Sequence, residues 1–245
     1  DMSAELLTLW HLCGQTDKAT AVLASRKFHP WEGGEGKVTS QFILNQLLQA
    51  WQAIEAHQPA RAQALLTAAL HYPENLSEGR LPGQTDNDIW FWLGLCARLQ
   101  GDEAQATAAW QKATHGDRTL NVHSYYNDQP VDYLFWQGIA LRMLGERAAA
   151  DALFTDMAQW ASNMVDAPVE ADFFAVSQPD LLSLYGDLKP QHQEKCLYIQ
   201  ALAAAGMGDE AQWHQTTAAL NALNPAWPKA ALFQRVMAYV LHLIH

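Results

Sequence analysis

The sequence predicts an all-α fold made of about five antiparallel helical hairpins with long connections between them. Short polar turns recur along the chain, and each follows an apolar helical stretch and precedes an alanine-rich one. The first four turns are spaced by 43 or 44 residues, and the fifth follows after 63. Such regularity is typical of repeat proteins, in which neighbouring hairpins bury one another's apolar faces. The turns begin at Gly14, His57, Gly101, Gly145 and Gly208.

The third hairpin carries the most complete residue pattern. Its positions are Trp90, Leu93, Gly94 and Ala97 on the first helix, and Ala106, Trp110 and Ala113 on the second. Small residues allow two helices to cross closely, and we expect the large aromatics to fill the space between successive hairpins. This pattern resembles the tetratricopeptide repeat, which implies an α-solenoid. The fourth hairpin repeats it with Leu134, Gly138, Leu141, Ala150 and Phe154.

The remaining elements follow the same scheme with departures. The first hairpin supplies Ala19 and Leu23, and the second supplies Ala62, Leu66 and Ala69. The fifth has Trp213 where a small residue is expected. We expect the tryptophans at repeat positions to be core residues: Trp90, Trp110, Trp136 and Trp213. A single amphipathic helix over residues 228–244 is predicted as a C-terminal cap, so that residues 1–245 form one repeat domain.

The connections between hairpins are unusually long. A tetratricopeptide unit has about 34 residues, so a spacing of 43 or 44 adds about ten per repeat. Because the turns within hairpins are tight, we expect the extra residues between hairpins. These connections are residues 28–37, 72–86, 115–130 and 163–190. In a solenoid they emerge along one edge, which is therefore the candidate functional surface.

The first connection combines an aromatic residue and carboxylates with a glycine-rich loop. It contains His29, Trp31, Glu32 and Glu35, and Arg26 precedes it. Such a loop suits a polar ligand that is stacked and hydrogen-bonded, such as a sugar. A rigid loop in which Trp31 plugs the end of the hairpin stack is an equal alternative. Arg26 is placed to pair with Glu32 or Glu35.

The next two connections contain Tyr, Asn and acidic residues, which suit hydroxyl recognition but are also ordinary turn residues. In the second connection the candidate is Glu78, and in the third the candidates are His123, Tyr125, Tyr126, Asn127 and Asp128. For Asp86 and Asp128, capping of the following helices is the favoured interpretation. The fourth connection is apolar, and we expect it to pack sideways on the hairpins, with a short helix beginning near Pro179.

Four runs in these connections resemble one bacterial family. They are Phe28–Gly36, Tyr72–Leu76, Tyr125–Asp128 and Phe173–Asp180. Members of this domain-of-unknown-function family are large proteins with a carbohydrate-type β-sandwich region in the N-terminal half and tetratricopeptide repeats in the C-terminal half. The resemblance implies that this chain is the C-terminal part of such a protein, located in the cytoplasm and linked to sugar metabolism. It implies no catalytic residues.

Composition excludes several kinds of partner. A net charge of −11 and a pI near 5.2 argue against a nucleic acid, which requires a basic surface. No stretch has the apolar length of a membrane span. Scattered histidines without metal-ligand spacing predict no metal site, and no cofactor motif is present. The three cysteines lie far apart in apolar stretches, so we expect buried free thiols: Cys13, Cys96 and Cys196.

These observations predict a non-catalytic binding or scaffolding module. Its long-loop edge would contact a carbohydrate, or the N-terminal domains of the same protein or another protein. One alternative is a peptide-binding solenoid that uses its concave face. The other is a carbohydrate-active enzyme fragment with Glu32 or Glu35 as acid or base, which requires a second carboxylate at roughly 5 to 10 Å.

Overall fold

The computed structural model describes residues 2–29, 34–120, 129–169, 188–227, 229, 232–233, 237 and 239–242. Within these residues every regular element is a helix and no β-strand occurs. The predicted all-α class is therefore confirmed. Of the predicted C-terminal helix, the described residues 232–233, 237 and 239–242 are helical.

Ten α-helices and one short 3₁₀-helix, η1, are described. They are α1 (Met2–Leu12), α2 (Thr16–Ser25), α3 (Lys37–Glu55), α4 (Pro59–Ala69), η1 (Glu74–Leu76), α5 (Asn87–Leu99), α6 (Glu103–Ala113), α7 (Tyr133–Met143), α8 (Arg147–Met164), α9 (Lys189–Met207) and α10 (Glu210–Leu223). The four long connections fall close to where the sequence predicts them.

The chain divides into two compact units. The first unit is Asp1–Ala113 with Pro228–Val236, and the second is Thr114–Trp227 with Met237–His245. In the first unit the pairs α1–α2, α3–α4 and α5–α6 pack as hairpins, and α1–α3, α2–α3 and α4–α5 join successive hairpins. In the second unit the hairpins are α7–α8 and α9–α10, joined through α8–α9 and α7–α9.

All five hairpin turns have the same backbone structure. The turn residue is left-handed, with φ between 56° and 84° at Gly14, His57, Gly101, Gly145 and Gly208. The next residue donates its N–H to the carbonyl five residues earlier, at 2.8 to 3.0 Å in every turn. This is the Schellman motif, which satisfies the last carbonyls of a helix and favours glycine at the left-handed position. Four of the five turns use glycine, and the predicted turns are confirmed.

Residue size is matched across each of the first four hairpins. Ala19, Ala62, Ala106 and Ala150, each five residues after the turn residue, are fully buried. The residues seven before and nine after the turn form four pairs: Leu7 with Leu23, Ala50 with Leu66, Gly94 with Trp110, and Gly138 with Phe154. A glycine is therefore combined with an aromatic ring, and a larger residue with leucine.

The two glycine pairs are direct contacts. A Cβ atom built on Gly94 would lie 2.5 Å from Cδ1 of Trp110, and one on Gly138 would lie 2.5 Å from Cε1 of Phe154. The Trp110 indole also donates a hydrogen bond to the Phe91 carbonyl at 3.2 Å. Trp110 thus fills space inside its own hairpin, whereas the sequence predicts that it fills the space between successive hairpins.

Two of the four predicted core tryptophans are buried. Trp110 and Trp136 are buried, whereas Trp90 and Trp213 are only half-buried. The Lys112 ammonium lies 4.0 Å from the centre of the Trp90 ring, a cation–π contact that suits a ring at the protein surface. The core prediction is therefore wrong for Trp90 and Trp213.

The cysteines are free thiols in two different settings. Cys96 and Cys196 are buried, and burial raises the pKa of Cys96 to about 12 and that of Cys196 to about 11. Thiolate is the reactive form of cysteine, so these two thiols are chemically inert. Cys13 is exposed. The prediction of burial is wrong for Cys13 because this residue lies in the turn after α1, beyond the packed part of the helix.

Candidate functional site

The first two connections are anchored in one apolar cluster of the first unit. Phe28 of the first connection and Leu76 of the second are each 1% exposed. They pack in the same cluster as Leu7, Ala19, Leu23, Val38 and Phe42. The two connections are therefore held by shared core residues of α1, α2 and α3.

Hydrogen bonds also join these two connections. The Phe28 N–H donates to the Asn75 carbonyl at 2.8 Å, and the Ser77 hydroxyl donates to the Phe28 carbonyl at 2.7 Å. The Asn75 side-chain amide donates to the carbonyls of Leu23 at 2.7 Å and Arg26 at 2.8 Å. This amide thereby supplies hydrogen bonds to carbonyls at the C-terminal end of α2. We call the resulting face, residues 26–29, 34–36 and 72–80, the joined-loop surface.

Glu78 joins the second connection to the N-terminal end of α3. One carboxylate oxygen accepts the Gly36 N–H at 2.9 Å and faces the Thr39 hydroxyl at 3.4 Å. Gly36 is the N-cap of α3 and has no side chain to cap it. A carboxylate at a helix N-terminus also interacts favourably with the helix dipole. The candidate residue Glu78 therefore has a capping role that links the second connection to α3.

A polar cluster follows at the end of the second connection. The Arg80 guanidinium lies 5.0 Å from the centre of the Tyr72 ring, pairs with the Asp86 carboxylate and donates to the Ala69 carbonyl at 3.2 Å. Burial raises the pKa of the Tyr72 hydroxyl above its ordinary value. These contacts fix the path of the chain between α4 and α5.

The prediction that Asp86 caps α5 is wrong. Asp86 occupies the N-cap position, but its backbone is left-handed, with φ 48°, and its side chain makes no capping hydrogen bond. The carboxylate instead pairs with Arg80. An ion pair with a residue six positions earlier has replaced the capping bond that the sequence pattern favours.

Three of the predicted binding residues are exposed on the joined-loop surface, namely Arg26, His29 and Glu35. The Arg26 guanidinium lies 5.7 Å from the centre of the Phe28 ring. Pairing of Arg26 with Glu32 or Glu35 stays a prediction. The other candidates lie outside the described residues: Trp31, Glu32, His123, Tyr125, Tyr126, Asn127 and Asp128. The predicted capping by Asp128 and the predicted helix near Pro179 also fall on residues outside the described ones.

The described ends of the third connection belong to the second unit and are tied to α7. The Gln137 side-chain amide donates to the His115 carbonyl at 3.1 Å, and the Gln129 amide donates to the Asp117 carbonyl at 2.8 Å. Gly116 between them has φ 117°, a conformation that glycine alone adopts easily. This connection is therefore built against its own hairpin by buried and half-buried amides.

The contacts of Asn75, Ser77 and Arg80 are the features of the site that the sequence does not predict. Asn75 lies in a conspicuous run, Tyr72–Leu76, but its bonding partners lie 49 and 52 residues earlier. Two classes of site also receive no support from the described part of the chain. There, no group of three or more His, Cys, Asp or Glu side chains could hold a metal ion, and no helix has the length and apolar character needed to cross a membrane.

Asn75→Asp should lower the free energy of unfolding by about 2 kcal/mol, because a group that accepts replaces the donor facing two carbonyls. Urea denaturation followed by circular dichroism measures the change. The same substitution at exposed Asn163 is the control and should cost no more than about 0.5 kcal/mol. Equal losses in the two variants would show that the Asn75 bonds do not hold the connections.

No protein-family model matches this sequence, and no solved structure matches the chain.

Proposed function

We propose that this chain is a non-catalytic binding module of the tetratricopeptide kind, an α-solenoid whose joined-loop surface contacts a carbohydrate or a β-sandwich partner domain. The observation that carries the proposal is the hydrogen bonding between the first and second connections. Asn75, Ser77 and Glu78 hold two long loops against each other and against the ends of α2 and α3. Loops fixed on a rigid helical scaffold are where binding residues concentrate.

Preorganisation is the physical advantage of this arrangement. Ordering a flexible loop on binding costs conformational entropy, and a loop already held in place avoids much of that cost. Arg26, His29 and Glu35 project from this fixed frame as exposed polar side chains. Charged and aromatic groups of this kind bind either sugar hydroxyls or the polar face of another domain.

The solenoid part of the proposal has its own support. Five identical turns, four fully buried alanines at one repeat position, and hairpins that pack in chain order within each unit all agree with a tetratricopeptide array. The resemblance of the connections to the family that contains a β-sandwich region indicates that the partner is a β-sandwich domain. On this proposal the chain is one repeat domain of a longer cytoplasmic protein.

The non-catalytic part rests on the described carboxylates of the surface. Glu35 and Glu74 are exposed, and Glu78 is engaged as the cap of α3. A catalytic acid of a glycosidase usually sits in an apolar setting that keeps it protonated, and none of the three carboxylates has one. The strongly acidic composition likewise supports a partner other than nucleic acid.

Isothermal titration calorimetry against a panel of mono- and oligosaccharides tests the proposal, with a β-sandwich region of the resembled family as a second titrant. We expect saturable heat with one titrant. Trp31→Ala and the double variant Arg26→Ala/Glu35→Gln should lose it. The matched control Glu103→Gln, at an exposed position of α6, should retain it.

The outcomes separate the alternatives. Heat with a sugar makes the surface an autonomous carbohydrate site, and heat with the β-sandwich region alone makes it a domain-docking surface. Binding that survives the Trp31 and Arg26/Glu35 changes would place the contact elsewhere on the helices. No heat with either titrant, or turnover of a sugar that Glu35→Gln abolishes, would overturn the proposal.

A further inference from the structure

A buried histidine holds the first helix against the third. His11 lies in the last turn of α1 and is 1% exposed. Its Nδ1 is 2.8 Å from the Gln41 side-chain oxygen, and its Nε2 is 3.1 Å from the Asn45 side-chain oxygen. Gln41 and Asn45 are both on α3 and are themselves buried, so the His11 ring adds hydrogen bonds to the apolar packing of α1 on α3.

The hydrogen bonds around Asn45 fix the proton on Nε2. The Thr20 hydroxyl donates to the Thr16 carbonyl at 2.9 Å, so its oxygen is left to accept from the Asn45 amide NH₂ at 2.9 Å. Asn45 therefore turns its carbonyl oxygen towards His11. That oxygen only accepts, and Nε2 must donate to it.

The contact of Nδ1 depends on the charge of the ring. A neutral imidazole has one donor and one acceptor, so with Nε2 donating, Nδ1 must accept. An Nδ1 that faces the Gln41 oxygen is hydrogen-bonded only when the ring is a doubly protonated imidazolium. A neutral ring would keep this hydrogen bond only if the Gln41 amide turned over and donated its NH₂. The orientation of the Gln41 amide thus follows the protonation of His11.

Among the described residues of α1, α2 and α3, no charged side chain lies beside the His11 ring. The other titratable side chains on the three helices that pack here are all exposed: Glu5 on α1, Asp17 and Lys18 on α2, and Lys37 and Glu55 on α3. Burial lowers the pKa of His11 from its ordinary value, and the hydrogen bonds to Asn45 and Gln41 raise it by less. The packed state therefore disfavours the imidazolium.

We propose that His11 is a proton-sensitive contact, and that its protonation releases α1 from α3 in the first unit. An imidazolium in the packed state is buried and has no charged partner among the described side chains of α1, α2 and α3, whereas opening α1 exposes it to water. The direction of the pH dependence follows from the proton affinities of the packed and open states. Because the packed state binds the proton more weakly than the open state, packing is stable above about pH 6.5 and weakens as pH falls below that value.

Release of α1 would also affect the two connections. Leu7 of α1 is fully buried in the cluster that contains Phe28 and Leu76. When α1 leaves, this cluster loses one of the core residues that hold both connections. Acid would then loosen the joined-loop surface. Only this last consequence rests on the proposed function, since the release of α1 itself involves no ligand.

Hydrogen exchange followed by mass spectrometry at pH 7.5 and pH 5 tests the release. After correction for intrinsic exchange, the protection of α1 should fall about tenfold more than that of α5 in the wild-type protein. The control His71→Gln, at an exposed position, should behave like wild type. In His11→Gln the protection of α1 should fall no more than that of α5.

An NMR titration of the His11 ring supplies a measurement that needs no variant. We expect the ring to titrate below about pH 6.5, the ordinary value for histidine, and Gln41 side-chain resonances to change with it. A ring that titrates at or above that value while α1 stays protected would overturn the proposal. So would an equal acid-induced loss of α1 protection in wild type and His11→Gln.

Discussion

Phe154→Ala should lower the free energy of unfolding of the second unit by about 4 kcal/mol. The Phe154 ring is fully buried and lies against two glycines, Gly138 of α7 and Gly206 of α9. Cβ atoms built on these glycines would lie 2.5 Å from ring carbons. Because glycine has no side chain that can move into the vacated space, the cavity stays open and the loss falls in the upper half of the usual range.

Urea denaturation monitored by circular dichroism measures this effect. Gln159→Ala, at an exposed position of the same helix, is the control and should change the free energy of unfolding by less than about 0.5 kcal/mol. The loss of unfolding free energy for Phe154→Leu should fall between those for Phe154→Ala and Gln159→Ala. A loss below about 1.5 kcal/mol for Phe154→Ala would mean that α7 and α9 close over the gap.

Gly94→Ala should lower the free energy of unfolding by about 2 kcal/mol, as overpacking of a core does, because the new methyl group overlaps the Trp110 ring. The second hairpin shows how the same positions accommodate alanine, since it has Ala50 where the third has Gly94 and Leu66 where the third has Trp110. Adding Trp110→Leu to Gly94→Ala should therefore relieve the overlap. We expect the double variant to be more stable than the sum of the single changes predicts, by about 1 to 2 kcal/mol.

A double-mutant cycle of chemical denaturation measures this coupling. Trp110→Leu alone should be destabilising, because it leaves space above Gly94 and removes the hydrogen bond to Phe91. Gly79→Ala is the matched control, since a Cβ atom there meets no other atom within 4 Å and the glycine φ is not positive. Strictly additive losses would show that the Gly94–Trp110 contact does not determine the packing of this hairpin.

The fold class and the turns could be predicted from the sequence because their causes are local. A glycine followed by a helix start specifies a Schellman turn within a few residues, and four of the five turns carry that signal. His57 occupies the same left-handed position without being glycine, and the repeat spacing was needed to find it. Burial was harder to predict, because the repeat position of Trp90 does not reveal that Lys112 covers its ring at the surface.

The positions of the connections could be predicted from the sequence, whereas the contacts between them could not. The sequence singles out residues 28–37, 72–86, 115–130 and 163–190, and described residues of the first two connections meet. Their contacts depend on pairs far apart in the chain, such as Asn75 with Leu23 and Glu78 with Gly36. Local patterns cannot specify such pairs. The prediction that Asp86 caps α5 failed for another reason, because an acidic residue before a helix is typical of an N-cap but this one pairs with Arg80 six residues earlier.

The matching of residue size inside each hairpin limits how this protein can change in evolution. Recombination that exchanged single helices between repeats, for example α6 for α4, would set a tryptophan opposite Ala50 in place of Leu66. Exchange or duplication of a whole hairpin keeps the glycine with its aromatic ring and the alanine with its leucine. The heritable unit is thus the complete hairpin.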